Sequence, residues 1–228
     1  MCRHYSCIVV RTGKVYGQTD DPSHTEIARR HKLPEDGKSE LFRAKVEVVP
    51  RDGYTYGDAP TPETWEVIVD EPTRPDWYGD RHDRAAMASA QNWWRSRVIA
   101  PDAVVTVTDG LWFVLEGSPQ ITQSGGVVWN FDRSAATITQ SGGVVRNFDQ
   151  SAATITQSGG VVVNYDQSAA TITQSGGVVV NFDQSAATIT QSGGAVWNYD
   201  QSAATITQSG GEVSNFDRSA AKVTRVGK

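Results

Sequence analysis

A block of seventeen residues, written six times in succession, constrains this chain more than any other feature of its sequence. The copies span residues 121–137, 138–154, 155–171, 172–188, 189–205 and 206–222, and the third copy reads ITQSGGVVVNYDQSAAT. A short fixed period indicates one structural unit that stacks on copies of itself and buries its apolar side chains against its neighbours.

The composition of the repeat predicts strands rather than helices. Seventeen residues are too few for a pair of helices, which takes roughly thirty or more. Thr-Ile-Thr alternates polar and apolar residues, as a half-buried strand does, and Val-Val-X-Asn is a second short strand. Gly-Gly predicts one turn, and the run Asn-aromatic-Asp-Gln-Ser predicts the other. We therefore predict a β-solenoid with 17-residue coils, preceded by a small α+β domain.

Differences between the copies predict which side chains face the interior. The positions equivalent to Ile155 and Val162 are the same in all six copies, so we place them inside. The position after that Val holds both Trp129 and Arg146 in different copies, a range that a core would not accept, so we place it outside. By alternation the position of Asn164 falls inside, where stacked amides could hydrogen-bond from coil to coil.

The charge distribution places a domain boundary close to residue 104. Residues 121–222 contain four basic and seven acidic residues, whereas most of the chain's 47 charged residues precede them. We predict a small α+β domain over residues 1–103 and the solenoid over residues 104–228. The solenoid would comprise a shortened first coil (104–120), the six repeats (121–222) and a C-terminal cap (223–228). In the first coil, Val107 would take the place of the repeat's Ile, and Trp112 and Phe113 would close the end of the core.

Within residues 1–103 the local patterns predict four strands and two helices. Residues 6–16 are expected to form a hairpin, and residues 41–49 and 65–69 two further strands. Ser23 followed by Glu26 is a capping box that predicts a helix from His24 to about His31. A second helix is expected over residues 80–98, and a loop over residues 50–63.

No motif in the sequence indicates a catalytic or cofactor site, and we expect a non-enzymatic protein without a metal or cofactor. Cys2, His4 and Cys7 lie close together but lack the second ligand pair of a zinc site. No glycine-rich phosphate loop is present. No apolar run of membrane-span length and no signal peptide are found, which predicts a cytoplasmic protein. The repeats' net charge of −3 is too sparse for a DNA mimic, and without a basic stripe direct nucleic-acid binding is not expected.

An apolar outward face is the first candidate site. Outward valines and tryptophans would form one contiguous exposed patch, and such patches mark protein interfaces. The residues are Val127, Trp129, Val144, Val161, Val163, Val178, Val180 and Trp197. This predicts an interaction protein that binds a protein partner or a second copy of itself as a homodimer.

Two ranks of threonine are the second candidate site. They comprise Thr137, Thr139, Thr154, Thr156, Thr171, Thr173, Thr188, Thr190, Thr205 and Thr207. The motif Thr-X-Thr, repeated once per coil, resembles the ice-binding faces of antifreeze β-solenoids and of bacterial ice-nucleation proteins, whose ranked threonines order water. The resemblance covers the repeats alone and implies ice binding as an alternative function.

The whole layout resembles uncharacterised proteins of bacteriophages and their bacterial hosts. The resemblance rests on Gly13-Lys14-Val15-Tyr16, Asp21-Pro22-Ser23-His24, Trp65–Asp70 and Pro75-Asp76-Trp77, followed by short repeats. It implies an origin on a mobile element and a host macromolecule as the partner that the solenoid binds or blocks.

Overall fold

A computed structural model of the chain describes residues 5–18, 23–33, 42–51 and 64–227. The contacts divide the chain into a first unit, residues 1–96, and a second unit, residues 97–228. The second unit begins upstream of the predicted boundary because Val98 bridges Phe113 and the Ile99 N–H donates to the Phe113 carbonyl at 2.8 Å.

The described residues of the first unit form a four-stranded antiparallel sheet with two helices, as the sequence predicts. Its strands are β1 (Tyr5–Val10), β2 (Val15–Gly17), β3 (Arg43–Pro50) and β4 (Trp65–Val69), and its helices are α1 (His24–Arg30) and α2 (Asp80–Arg97). The strand order is β2-β1-β3-β4. Ser23 caps α1, since its Oγ accepts a hydrogen bond from the Glu26 N–H at 3.1 Å. Most of the predicted loop over 50–63 lies outside the described residues.

The two faces of this sheet pack on different helices. Cys7 and Val46 belong to one core cluster with Ala86 and Ala90 of α2. Ile8 belongs to a second cluster with Ile27 and Ala28 of α1. Because side chains alternate along a strand, α1 and α2 cover opposite faces of the sheet. No helix in the described part of the chain has the length and apolar character needed to cross a membrane.

The second unit is a parallel β-solenoid, which confirms the predicted fold. Seven strands form one sheet, here called the valine sheet: β6 (Leu111–Gly117), β8 (Val127–Ser134), β10 (Val144–Asn147), β12 (Val161–Asn164), β14 (Val178–Asn181), β16 (Ala195–Asn198) and β18 (Glu212–Asn215). Eight strands form the threonine sheet: β5 (Val104–Val107), β7 (Gln120–Gln123), β9 (Thr137–Gln140), β11 (Thr154–Gln157), β13 (Thr171–Gln174), β15 (Thr188–Gln191), β17 (Thr205–Gln208) and β19 (Lys222–Arg225). The chain passes once through each sheet per coil.

Equivalent residues of successive coils lie side by side in both sheets. Ile155 pairs with Ile138 and Ile172, and Val162 pairs with Val145. The isoleucines and the valines equivalent to Val162 form the interior, together with the second alanine of each copy. The predicted inward positions are therefore confirmed.

The interior also contains two ladders of amide side chains. Asn147 Nδ2 donates to Asn164 Oδ1 at 2.7 Å, and the same bond recurs between coils, as the alternation predicts. The second ladder, of glutamines, was not predicted from the sequence. In it, Gln157 Nε2 donates to the Gly160 carbonyl of its own coil and to the Val178 carbonyl of the next coil, both at 3.1 Å. These bonds satisfy donors that would be costly to bury alone.

Both turns have a backbone that restricts the residue type. Gly160 has a φ of +77°, and a Cβ on Gly159 would collide with the Ser141 carbonyl of the preceding coil. In the other turn Asp166 has a φ of +48°, which Asp tolerates better than most residues, and the Ser168 N–H donates to the Tyr165 carbonyl.

The first coil differs from its predicted alignment. Val105, not Val107, pairs with Ile121, so the expected equivalence of Val107 and Ile121 is wrong. Trp112 pairs with Val128 and packs against the core, whereas Phe113 pairs with Trp129 on the outer side.

Both ends of the repeat region also differ from the predicted structure. The turn predicted over residues 130–134 is absent from the first copy, because β8 continues to Ser134 through pairing with Glu116 and Gly117. In the predicted cap, residues 223–225 continue the threonine sheet as part of β19, with Val223 beside Ile206.

Truncation of an inward side chain should destabilise the solenoid far more than truncation of its outward neighbour. We expect Ile172→Ala to lower the free energy of unfolding by about 2–5 kcal/mol, because it leaves a cavity between coils. Thr173→Ala, the matched control one residue away, should change it by less than about 0.5 kcal/mol. Urea melts measure both, and equal losses would contradict the inward and outward assignment.

Deletion of one whole copy should leave a folded protein. Without residues 155–171 the remaining coils keep their pairing, since each coil contacts its neighbours alone. Deletion of sixteen residues, 155–170, would instead shift the strand register by one residue, which would turn the following isoleucines to the surface. Circular dichroism and urea melts compare the two proteins, and equal unfolding of both would show that the seventeen-residue unit is not an independent coil.

Candidate functional site

The outer face of the valine sheet contains three ranks of side chains, one residue of each rank per coil. The first rank consists of Val127, Val144, Val161, Val178, Ala195 and Glu212, and the second of Trp129, Arg146, Val163, Val180, Trp197 and Ser214. The third rank is aromatic: Phe131, Phe148, Tyr165, Phe182, Tyr199 and Phe216. Alternation along each strand directs the first two ranks away from the buried valine and asparagine ladders. The aromatic rank directly follows the asparagine and, in every copy except the first, lies just beyond the end of the strand.

The aromatic rank is a continuous stack. The ring centroids of Phe148 and Tyr165 lie 5.1 Å apart with an interplanar angle of 5°, and those of Tyr165 and Phe182 lie 5.5 Å apart. Neighbouring rings stay stacked to Tyr199 and Phe216 at 4.6 Å. Offset aromatic pairs contribute about 0.5–1.5 kcal/mol each beyond the area they bury, so this rank also stabilises the turns from which it projects.

The stacked rings cover part of the second rank. Trp129 lies at ring-centroid distances of 6.1 Å from Phe131 and 5.7 Å from Phe148, and the Arg146 guanidinium lies 5.7 Å from the Trp129 ring. The prediction that all eight patch residues are exposed is therefore wrong for Val163 and Val180, each of which is 9% exposed. Both point outward, and as a pair they lie between the larger side chains of Arg146 and Trp197 in their rank.

The rest of the predicted apolar patch is accessible to solvent. Val127, Val144, Val161 and Val178 are partly exposed, as is Trp129. Trp197 is the most exposed member at 41%. The polar residues Glu212 and Ser214 end the first two ranks at the last strand, so the apolar surface runs from β8 to β16.

The predicted threonine ranks are exposed and aligned on the outer face of the threonine sheet. All ten threonines are exposed, and each pairs with its equivalent in the next coil, as Thr171 does with Thr188 and Thr173 with Thr190. The register extends the second rank beyond the prediction, to Thr106, Thr122 and Thr224. The Thr-X-Thr pattern could not have revealed these three, because Val104, Gln120 and Lys222 replace the first threonine.

Cys7, considered as a zinc ligand, faces the core of the first unit. Burial raises the pKa of its thiol to about 12, so the thiol stays protonated near neutral pH and is neither a nucleophile nor a ready metal ligand there. Cys2 and His4 lie outside the described residues.

A different cluster in the first unit could hold a metal ion. His24, Glu47 and Asp70 each place one possible ligand atom within 4.8 Å of the other two. The sequence did not predict this cluster, since the three residues are far apart in the chain and match no spaced metal motif. The sequence indicated only the elements that carry these residues, through the strand pattern of residues 41–49 and 65–69 and the capping box that starts α1 at His24.

Comparisons of the chain with models of protein families, with curated proteins and with solved structures found no match in any of the three.

Proposed function

We propose that the solenoid is a non-enzymatic interaction module and that the outer face of its valine sheet is the contact surface. One observation carries the proposal: the polar residues in the three ranks of that face are Arg146, Glu212 and Ser214, and all the others are apolar or aromatic. A sheet with one face in water ordinarily alternates apolar and polar residues along each strand, whereas parallel sheets with continuously apolar strands are covered on both faces. The valine sheet instead carries apolar side chains on its outer face as well as inside, where its buried valines alternate with the asparagine ladder.

The threonine sheet provides a comparison within the same chain. Its strands pair in the same parallel way and belong to the same coils, yet they carry threonine at their outward positions. The apolar outer face is thus not a requirement of coil stacking. A contiguous exposed apolar surface of this kind is typical of a protein interface.

The partner would be a protein with a complementary apolar surface, or a second copy of this chain. Trp129 and Trp197 are suited to be anchors, because tryptophan is enriched among residues that dominate binding energy. The bacteriophage resemblance favours a host macromolecule that the solenoid binds or blocks. A pair of identical copies could instead bury this face isologously as a homodimer.

Polar substitution of the accessible patch residues should abolish the association. We expect the variant Val161→Thr/Val178→Thr/Trp197→Ser to lose dimers in sedimentation or light-scattering measurements, and to lose partner cross-links detected by mass spectrometry in the native host. The matched control, Thr156→Ser/Thr173→Ser/Thr190→Ser on the threonine sheet, should retain both. If both variants associate as the unchanged protein does, the valine sheet is not the contact surface.

Ice binding by the threonine sheet is the second candidate function. The observation in its favour is the two aligned ranks of exposed threonine, with neighbouring coils about 4.8 Å apart and threonines of one strand about 7 Å apart. A regular two-dimensional array of hydroxyl and methyl groups can order water in a repeating pattern. The apolar face of the valine sheet has no part in this function.

Disruption of the threonine array should remove ice binding without affecting association. We expect the purified protein to show thermal hysteresis and ice shaping, and Thr171→Lys/Thr173→Lys to lose both, because two long charged side chains interrupt the array at its centre. The valine-sheet variant described above is the control and should keep both properties. Absence of hysteresis and ice shaping from the unchanged protein at millimolar concentration would exclude this candidate.

A further inference from the structure

We propose that His24, Glu47 and Asp70 form a binding site for a divalent transition-metal ion of the zinc class. The site lies in the first unit and is independent of the proposed interaction surface on the solenoid. It joins three elements, since His24 is the first residue of α1, Glu47 lies within β3, and Asp70 directly follows β4.

Strand register brings the two carboxylates to the face of the sheet that α1 covers. Val46 and Val48 belong to the core cluster that contains α2, so Glu47 between them projects toward α1. Val46 pairs with Val69, and the Asp70 N–H donates to the Lys45 carbonyl at 2.9 Å, which fixes Asp70 beside β3.

His24 is held in the orientation of a metal ligand. Its side chain is 7% exposed, and Nε2 lies 3.2 Å from the Val46 carbonyl oxygen. A carbonyl oxygen only accepts, so Nε2 carries the hydrogen and donates it. In the neutral ring Nδ1 then has a free lone pair. A backbone carbonyl on the far nitrogen is the usual outer-shell partner of a metal-bound histidine.

The free lone pair faces negative charge. Nδ1 lies 3.6 Å from Asp70 Oδ2, which is too long for a hydrogen bond. A buried nitrogen lone pair beside two carboxylates is unfavourable unless positive charge lies among them, and a bound metal ion would supply that charge. In a tetrahedral zinc site, ligands about 2.1 Å from the ion are about 3.4 Å apart, close to the separation of Nδ1 and Oδ2.

The ligand types favour a particular class of ion. One imidazole nitrogen and two carboxylate oxygens suit zinc, manganese, cobalt or nickel, whereas magnesium and calcium prefer oxygen alone. The two carboxylates would neutralise the charge of a dication. The Asp70 side chain is 57% exposed, so the site is open to solvent on that side and leaves coordination positions for water.

Metal titration of the full chain tests the proposal. After treatment with a chelator, the protein is titrated with Zn²⁺ and Mn²⁺ by calorimetry, with Mg²⁺ and Ca²⁺ in parallel, and its thermal midpoint is measured. We expect one Zn²⁺ per chain, a higher thermal midpoint with Zn²⁺, and weaker binding of Mg²⁺ and Ca²⁺. After substitution with Co²⁺, intense visible absorption bands would show a coordination number below six, and absence of a thiolate charge-transfer band would exclude cysteine as a ligand.

Matched variants identify the ligands. His24→Gln and Asp70→Asn should each weaken Zn²⁺ binding by more than about tenfold, since even loss of an outer-shell partner costs about 10–100-fold. His31→Gln, in the C-cap of the same helix, and Asp76→Asn, at an exposed carboxylate, are the controls and should bind as the unchanged protein does. Cys2→Ser/His4→Gln excludes ligation by the N-terminal residues.

Two results would overturn the proposal. The first is absence of Zn²⁺ and Mn²⁺ binding, which would mean that the three side chains do not hold a metal ion. The second is unchanged binding in Asp70→Asn, which alters an exposed side chain and therefore tests the site even if His24→Gln fails to fold.

Discussion

The in-register parallel pairing of successive coils is the constraint on which the rest of the solenoid depends. Each coil hydrogen-bonds to the next through its backbone, as when the Val161 N–H donates to the Gly143 carbonyl and the Thr171 N–H to the Ala153 carbonyl, both at 2.9 Å. A period of seventeen residues then places every side chain beside its own equivalent. A residue type is acceptable at a position if it packs or bonds well with a copy of itself.

This requirement explains the chemistry of each rank. Isoleucine and valine fill the interior, and an asparagine amide can both donate to and accept from its neighbour, as Asn164 does. Aromatic rings stack on one another. Aligned aspartates repel by roughly 0.9 kcal/mol per neighbouring pair in bulk water, which the turn tolerates because these residues lie at the surface. The ranks become more polar at the last coil, where Glu212 and Lys222 lie on the outermost strands of the two described sheets.

Stacking alone does not explain why the two outer faces differ. The same coils carry threonine outside one sheet and valine, tryptophan and stacked aromatic rings outside the other. An outer face of valine, tryptophan and aromatic rings gains little from contact with water, which is why the valine sheet is the surface that we propose is covered by a protein. The threonine sheet offers water a regular hydroxyl array instead. The first unit adds a separate feature, a buried histidine beside two carboxylates, in which the sheet and α1 contribute different residues.

The sequence by itself determined the features that depend on local alternation and on a fixed period. The β-coil, the inward Ile155 and Val162, the asparagine ladder, the outward threonines and the elements of the first unit all follow from patterns within a few residues. Only the tertiary structure decided the features that depend on neighbours from other coils or strands. Val163 and Val180 are outward yet covered, because their exposure is set by the size of the side chains around them. In the first coil, strand register places the partly buried Val105 beside Ile121 and the buried Val107 beside Gln123, an alignment that local similarity did not reveal. His24, Glu47 and Asp70 meet because the pairing of β3 with β4 and the packing of α1 join residues that no local pattern connects.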